Sequence, residues 1–230
     1  MNIKICEQEY TIEDKVSNLL DILFYIKENQ NNSLGFRSGC RSGVCGSCSV
    51  KVDGVEKLAC KTNIEDNSEI TPLNNIKVLK DLIVDFESQN RFLTISNSYL
   101  NNRNENIITS DDENIINIES NCILCNSCFS SCPIYEVNKE FKGPFALVRA
   151  YRYIEDKKEG DISSKIDSIQ KNGIWDCTLC GNCNMVCPSK IDIKNDIMKL
   201  RNKSVQLGYN DPNLVNNDFN LDFGFNPNQF

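Results

Sequence analysis

Histidine is absent from this chain of 230 residues, and tryptophan occurs once. Without histidine, every zinc site of mixed cysteine and histidine ligation is excluded, as are Rieske centres and histidine general bases. Long apolar runs are missing too. The longest apolar stretch, Leu19-Leu20-Asp21-Ile22-Leu23-Phe24-Tyr25-Ile26, contains an aspartate and falls short of the ~18–20 residues that span a bilayer. A basic surplus is also lacking. The net charge of −7 argues against nucleic acid or an anionic membrane surface as the main partner. Met1-Asn2-Ile3-Lys4-Ile5 has no apolar core of the kind a secretory leader needs, which places the protein in the cytoplasm, docked to a membrane only through other subunits. No Gly-rich phosphate loop followed by Lys-Ser/Thr occurs, nor a dinucleotide fingerprint. The chain is therefore expected to bind neither ATP, NAD nor flavin by itself.

Cysteine, by contrast, is abundant, with 13 in the chain. In a reducing compartment so many cysteines read as metal ligands rather than disulfides. Twelve fall in three groups of four: Cys40, Cys45, Cys48 and Cys60; Cys122, Cys125, Cys128 and Cys132; Cys177, Cys180, Cys183 and Cys187. Cys6 stands alone and reads as a small buried apolar residue on a strand.

The pattern around these groups predicts an α+β protein. Ile3-Lys4-Ile5 alternates as a strand does, and Asp14 is placed to cap a helix over residues 15–28. Asp53-Gly54 between two alternating runs predicts a hairpin. A sheet, a helix and a Gly-rich cysteine loop suit a β-grasp [2Fe–2S] ferredoxin domain, assigned to residues 1–100. Within it, Val78, Leu79, Leu82, Ile83 and Phe86 have helical spacing. The polar run 101–106 reads as a linker or surface loop. Residues 101–206 read as an α-helical domain carrying two cysteine loops. Gly143-Pro144 opens a helix whose buried face is Ala146, Leu147, Ala150, Tyr151 and Ile154. Trp175 reads as packing, and residues 207–230 as a disordered or partner-docking tail.

The spacing of the cysteines specifies their chemistry. The first group, C-x4-C-x2-C-x11-C, has the plant-type pattern for one [2Fe–2S] cluster. A four-thiolate zinc site would show two C-x2-C pairs instead. The second and third groups each read C-x2-C-x2-C-x3-C-P, the pattern of paired [4Fe–4S] clusters, in which the fourth cysteine ligates the other cluster. Crossed ligation gives cluster A from Cys122, Cys125, Cys128 and Cys187. Cluster B takes Cys132, Cys177, Cys180 and Cys183.

One plant-type loop followed by two bacterial-type loops resembles the iron–sulfur subunit of succinate dehydrogenase and fumarate reductase. Phe36-Arg37-Ser38-Gly39-Cys40 through Cys48, Leu58-Ala59-Cys60, Lys80-Asp81-Leu82-Ile83-Val84-Asp85 and Phe141-Lys142-Gly143-Pro144 share in the resemblance, which covers about residues 1–205. It implies an electron-transfer subunit that relays electrons between a partner carrying FAD, where succinate and fumarate interconvert, and a third subunit. The third subunit is a membrane anchor or a cysteine-rich thiol/disulfide-handling protein. No residue of this chain then works on the dicarboxylate. Two departures from the family pattern stand out. Most members lack a cysteine where Cys180 stands and carry a [3Fe–4S] centre; the complete loop here predicts [4Fe–4S], with [3Fe–4S] the alternative. Quinone-using members carry Trp and His where Tyr135-Glu136-Val137 and Thr178 stand here, so the quinone site is altered or absent. Other readings are an iron–sulfur subunit of a different flavin oxidoreductase, a free polyferredoxin, or a zinc-stabilised interaction module.

Overall fold

The computed structural model of the chain describes residues 1–13 and 16–215. Its first part is a mixed five-stranded sheet covered by one helix. The strands are β1 (Asn2–Ile5), β2 (Gln8–Thr11), β3 (Ser49–Val52), β4 (Val55–Leu58) and β5 (Ser68–Thr71), in the order β2-β1-β5-β3-β4. β1 alternates as expected, with Ile3 and Ile5 inward, and it pairs antiparallel to β2 and parallel to β5. The β3–β4 hairpin turns at Asp53-Gly54, both with positive φ (50° and 81°), as an Asp-Gly turn requires.

Helix α1 (Leu19–Asn29) buries Leu19, Leu20, Ile22, Leu23 and Ile26 in the core shared with the sheet. It starts later than the apolar pattern suggested. Asn18 caps it, accepting from the Leu20 amide at 3.1 Å and the Asp21 amide at 3.4 Å. The expected cap, Asp14, lies outside the described residues. Cys6 also departs from the expectation. It is half-buried in the tight turn after β1, at φ 45°, rather than buried on the strand.

The helix expected around Val78 is instead a second small hairpin, β6 (Val78–Lys80) and β7 (Ile83–Val84). Asp81 takes a left-handed conformation at φ 47° and accepts from the Gly35 amide at 2.7 Å, which turns the chain where a helix would continue. α2 (Glu87–Ile95) follows. Leu73, Ile76, Val84 and Phe92 then pack into the core of the second half of the chain.

That second half is helical: α3 (Ser110–Ser120), α4 (Ser127–Ser130), α5 (Ile134–Val137), α6 (Gly143–Ile154), α7 (Ile162–Ser168), α8 (Asn182–Val186), α9 (Ile193–Gln206) and α10 (Pro212–Val215). α6 lies at its centre, with all five residues of its predicted face buried. Its first residue must be glycine. Gly143 has φ 85°, and a Cβ there would run into the Tyr135 hydroxyl. Tyr135 is buried in an aromatic cluster, its ring 3.7 Å from that of Phe129. Trp175 packs against the core and donates to Gln170 Oε1 at 2.8 Å, as a packing residue would.

The polar run after α2 is a surface loop pinned from below. The fully buried Lys165 ammonium lies 3.1 Å from the Glu159 carboxylate and bonds to the carbonyls of Asn97 (2.8 Å) and Tyr99. Glu159 in turn accepts from the amides of Asn101 and Asn102 at 3.1 and 3.3 Å. Tyr209 packs against the helical core, so the first residues of the expected tail continue the fold; its remainder beyond residue 215 lies outside the described residues. Among the described residues no helix is long and apolar enough to cross a membrane.

Candidate metal centres

The first cysteine group sits at the rim of the sheet. Cys40 and Cys45 are exposed on the loop before β3, whereas Cys48 and Cys60 are buried beneath it. Cys60 lies in the single helical turn Ala59–Lys61 at the end of the hairpin. The loop points backbone N–H groups at sulfur. The amides of Ser42 and Val44 approach Cys40 Sγ at 3.4 and 3.3 Å, and the Cys40 amide approaches Cys45 Sγ at 3.4 Å. The Ser42 hydroxyl and amide, with the Val44 amide, bring the Cys40 thiol down to about 6. Amides aimed at sulfur favour the thiolate, the form that binds metal. Burial, with Cys60 alongside, pushes Cys48 up to about 11.

The two bacterial-type loops share one backbone device. Leu124 and Leu179 both adopt positive φ (52° and 56°), as do Asn126 and Gly181 (60° and 85°). Each loop therefore curls twice to the left before a short helix, α4 or α8, opens on the residue before its third cysteine. The curl turns amides toward sulfur, as where the Leu179 amide meets Cys177 Sγ at 3.4 Å. A left-handed leucine is costly for an L-residue, and nothing in its side chain announces it. Arg201 of α9 fastens the approach to the last loop, bonding to the carbonyls of Ile174 (2.9 Å) and Cys177 (2.6 Å).

Cys122, Cys125, Cys128 and Cys187 together line one apolar cavity, walled by Phe145, Val148, Ile191 and Ile193. Burial pushes Cys128 well up, followed by the neighbouring Cys125 and Cys122. On the other side Cys132 lies in the field of Cys177 and Cys180, and it is pushed up to about 11, chiefly by burial. Cys183 reaches about 12 for the same reason, with Cys177 and Cys132 adding to it. The last cysteine of each loop thus faces the first three of the other. Cys180 is exposed, while Cys132 and Cys183 are buried. Among the described residues no three Cys, Asp or Glu groups stand close enough to hold a single metal ion. A four-iron cluster gives each thiolate its own iron, and a two-iron cluster takes two thiolates on each iron, so the donor sets fit such groups: all sulfur, in groups of four, with Cys122, Cys125, Cys128 and Cys187 around an apolar cavity.

Fold and thiols define an iron–sulfur protein of two modules. The model of a 2Fe-2S iron-sulfur cluster binding domain matches residues 2–91, and that of a 4Fe-4S dicluster domain matches residues 119–191. The fumarate reductase iron-sulfur subunit of Escherichia coli O6:H1 is 36% identical over 190 residues, covering 78% of each chain. The chain belongs to the family of fumarate reductase and succinate dehydrogenase iron–sulfur subunits. An uncharacterized iron-sulfur protein of Methanococcus maripaludis is also 36% identical, over 202 residues; the match takes in 84% of this chain but only 40% of that longer protein. The fold is that of a chain in the Mycobacterium smegmatis Sdh1 complex in the apo form (TM-score 0.79, 22% identity, 91% of this chain and 97% of that one).

Proposed function

We propose that this chain is the electron-transfer subunit of a succinate dehydrogenase or fumarate reductase complex. Cys40, Cys45, Cys48 and Cys60 hold a [2Fe–2S] cluster. Cys122, Cys125, Cys128 and Cys187 hold one [4Fe–4S] cluster, and Cys132, Cys177, Cys180 and Cys183 hold the second. Bound there, the clusters supply three one-electron carriers. The chain's own part is to hold them, to shield the middle one in an apolar cavity, and to point amides at their sulfurs.

The observation that carries this reading is the gathering of Cys187 with Cys122, Cys125 and Cys128 around one cavity, 59 residues after the third of them in sequence. The exposed Cys40–Cys45 loop suits contact with a partner that carries FAD, since electrons must enter where a cluster nears the surface. A third subunit, a membrane anchor or a cysteine-rich protein, meets the Cys180 side. The chain contributes no dicarboxylate site, and the complex keeps it peripheral on the cytoplasmic face of the membrane. The modules span residues 1–100 and 101–206, with 207–230 serving partner docking.

The test is anaerobic isolation of the native complex. Co-purification with a flavoprotein of succinate:acceptor activity is expected. Recovery bound only to an unrelated dehydrogenase overturns the assignment.

A further inference from the structure

The two modules touch at a point where neither has room to spare. Gly46, between Cys45 and Cys48, has φ 68°, and a Cβ built on it would lie 2.8 Å from the carbonyl oxygen of Ile123 and 2.9 Å from Cα of Cys125. The backbone of the first cysteine loop therefore rests on the backbone of the second. Cys125 is accordingly buried in the core of the sheet module, although it belongs to the helical module's loop.

Ser49 sits in the same seam. It is buried at the start of β3, and its hydroxyl donates to the Gly46 carbonyl at 2.8 Å. Bonded in this way to Gly46, whose backbone abuts Cys125, Ser49 is the sheet-module hydroxyl that acts on the Cys125 thiol, against the rise that burial imposes on it. Ser127, equally buried, meets that sulfur from the helical side, accepting from the Cys125 thiol at 3.4 Å. A serine hydroxyl has one hydrogen to give. While Cys125 is a thiol, its own hydrogen serves Ser127, and that of Ser49 serves Gly46. When a metal displaces the thiol proton, the sulfur becomes an acceptor only, and both hydroxyls are placed to turn their hydrogens to it. Reduction adds negative charge to a cluster and its sulfurs, so such donors raise its potential.

We propose that Gly46 and Ser49 are positioning residues of the sheet module for the four-iron site of the helical module: Gly46 allows the two cysteine loops to meet at Cys125, and the Ser49 hydroxyl raises the potential of the cluster held there. The first module thereby tunes the carrier that receives its electrons. The inference rests on the reading of Cys125 as a ligand of the middle cluster.

The experiment is a potentiometric titration followed by electron paramagnetic resonance on the full chain loaded with iron and sulfide. Ser49→Ala is expected to lower the potential of the middle centre more than that of either other centre, and Ser49→Thr to restore it. Gly46→Ala is expected to slow electron transfer from the two-iron to the middle centre after flash reduction. A Ser49→Ala protein with full iron and an unmoved middle centre overturns the inference. So does a shift that is largest in the two-iron centre. Absence of the middle centre from the unaltered loaded chain would instead defeat the underlying ligand assignment.

Discussion

Stripping the iron with a chelator under reducing conditions is expected to remove most of the helical circular dichroism and the cooperative melting of the second half. The reason lies in how little else holds the cysteine loops. α4 has four residues and α8 five, too few for a helix to sustain itself. Each loop also carries a left-handed leucine, which costs roughly 1–2 kcal/mol by backbone sterics. Cys128, Cys132 and Cys183 belong to the hydrophobic core itself. On the proposed crossed ligation, with Cys187 joined to the middle loop and Cys132 to the last, iron would tie residues 122–132 to residues 177–187 across the whole helical half. Metal binding free energy is then folding free energy. A chelated sample that keeps its helical signal and a sharp melt would refute this coupling.

Lys165→Met is expected to destabilise the helical half by about 3–5 kcal/mol, the usual consequence of orphaning one charge of a buried pair. Lys165 and Glu159 are both wholly buried, with side-chain exposures of 0%. Burial opposes the charge on Glu159, but the amides of Asp161 and Asn101 and the Lys165 ammonium outweigh it and hold the carboxyl below its ordinary value. A carboxyl lowered on folding stabilises above its unfolded pKa, and that contribution disappears as pH falls through the lowered one. The pair is thus fully effective at neutral pH, where removing the lysine leaves a buried carboxylate. Urea unfolding of the loaded protein at pH 7 measures the loss. Lys165→Met combined with Glu159→Leu should recover much of it, since apolar replacements of a whole buried pair are tolerated. Equal midpoints for Lys165→Met and the unaltered chain would show that the pair does not pin the 97–102 loop.

The kinds of cluster were more legible in the sequence than the fold around them. Twelve cysteines at fixed spacings name their chemistry because cluster ligation demands those separations. The Asp53-Gly54 hairpin and the α6 face were equally readable, since a turn and a helix periodicity are local. The segment around Val78 was not. Val78, Leu79, Leu82 and Ile83 satisfy a helical period, yet one left-handed aspartate, Asp81, bonded to the distant Gly35, makes the segment a hairpin. Similarly, the start of α1 depends on Asn18, which also donates to the Cys60 carbonyl at 3.2 Å, a contact 42 residues away. The left-handed Leu124 and Leu179, the buried Lys165 and the contact of Gly46 with Cys125 all arise from tertiary closeness that composition does not record.

Iron counting with electron paramagnetic resonance on anaerobically purified protein tests the central claim most directly. Three full clusters give ~10 irons per chain, and a three-iron variant of the last centre ~9. We expect ~10 in the unaltered chain, with no three-iron signal, and ~9 with such a signal in Cys180→Ala. A folded, colourless protein containing zinc alone would contradict the account.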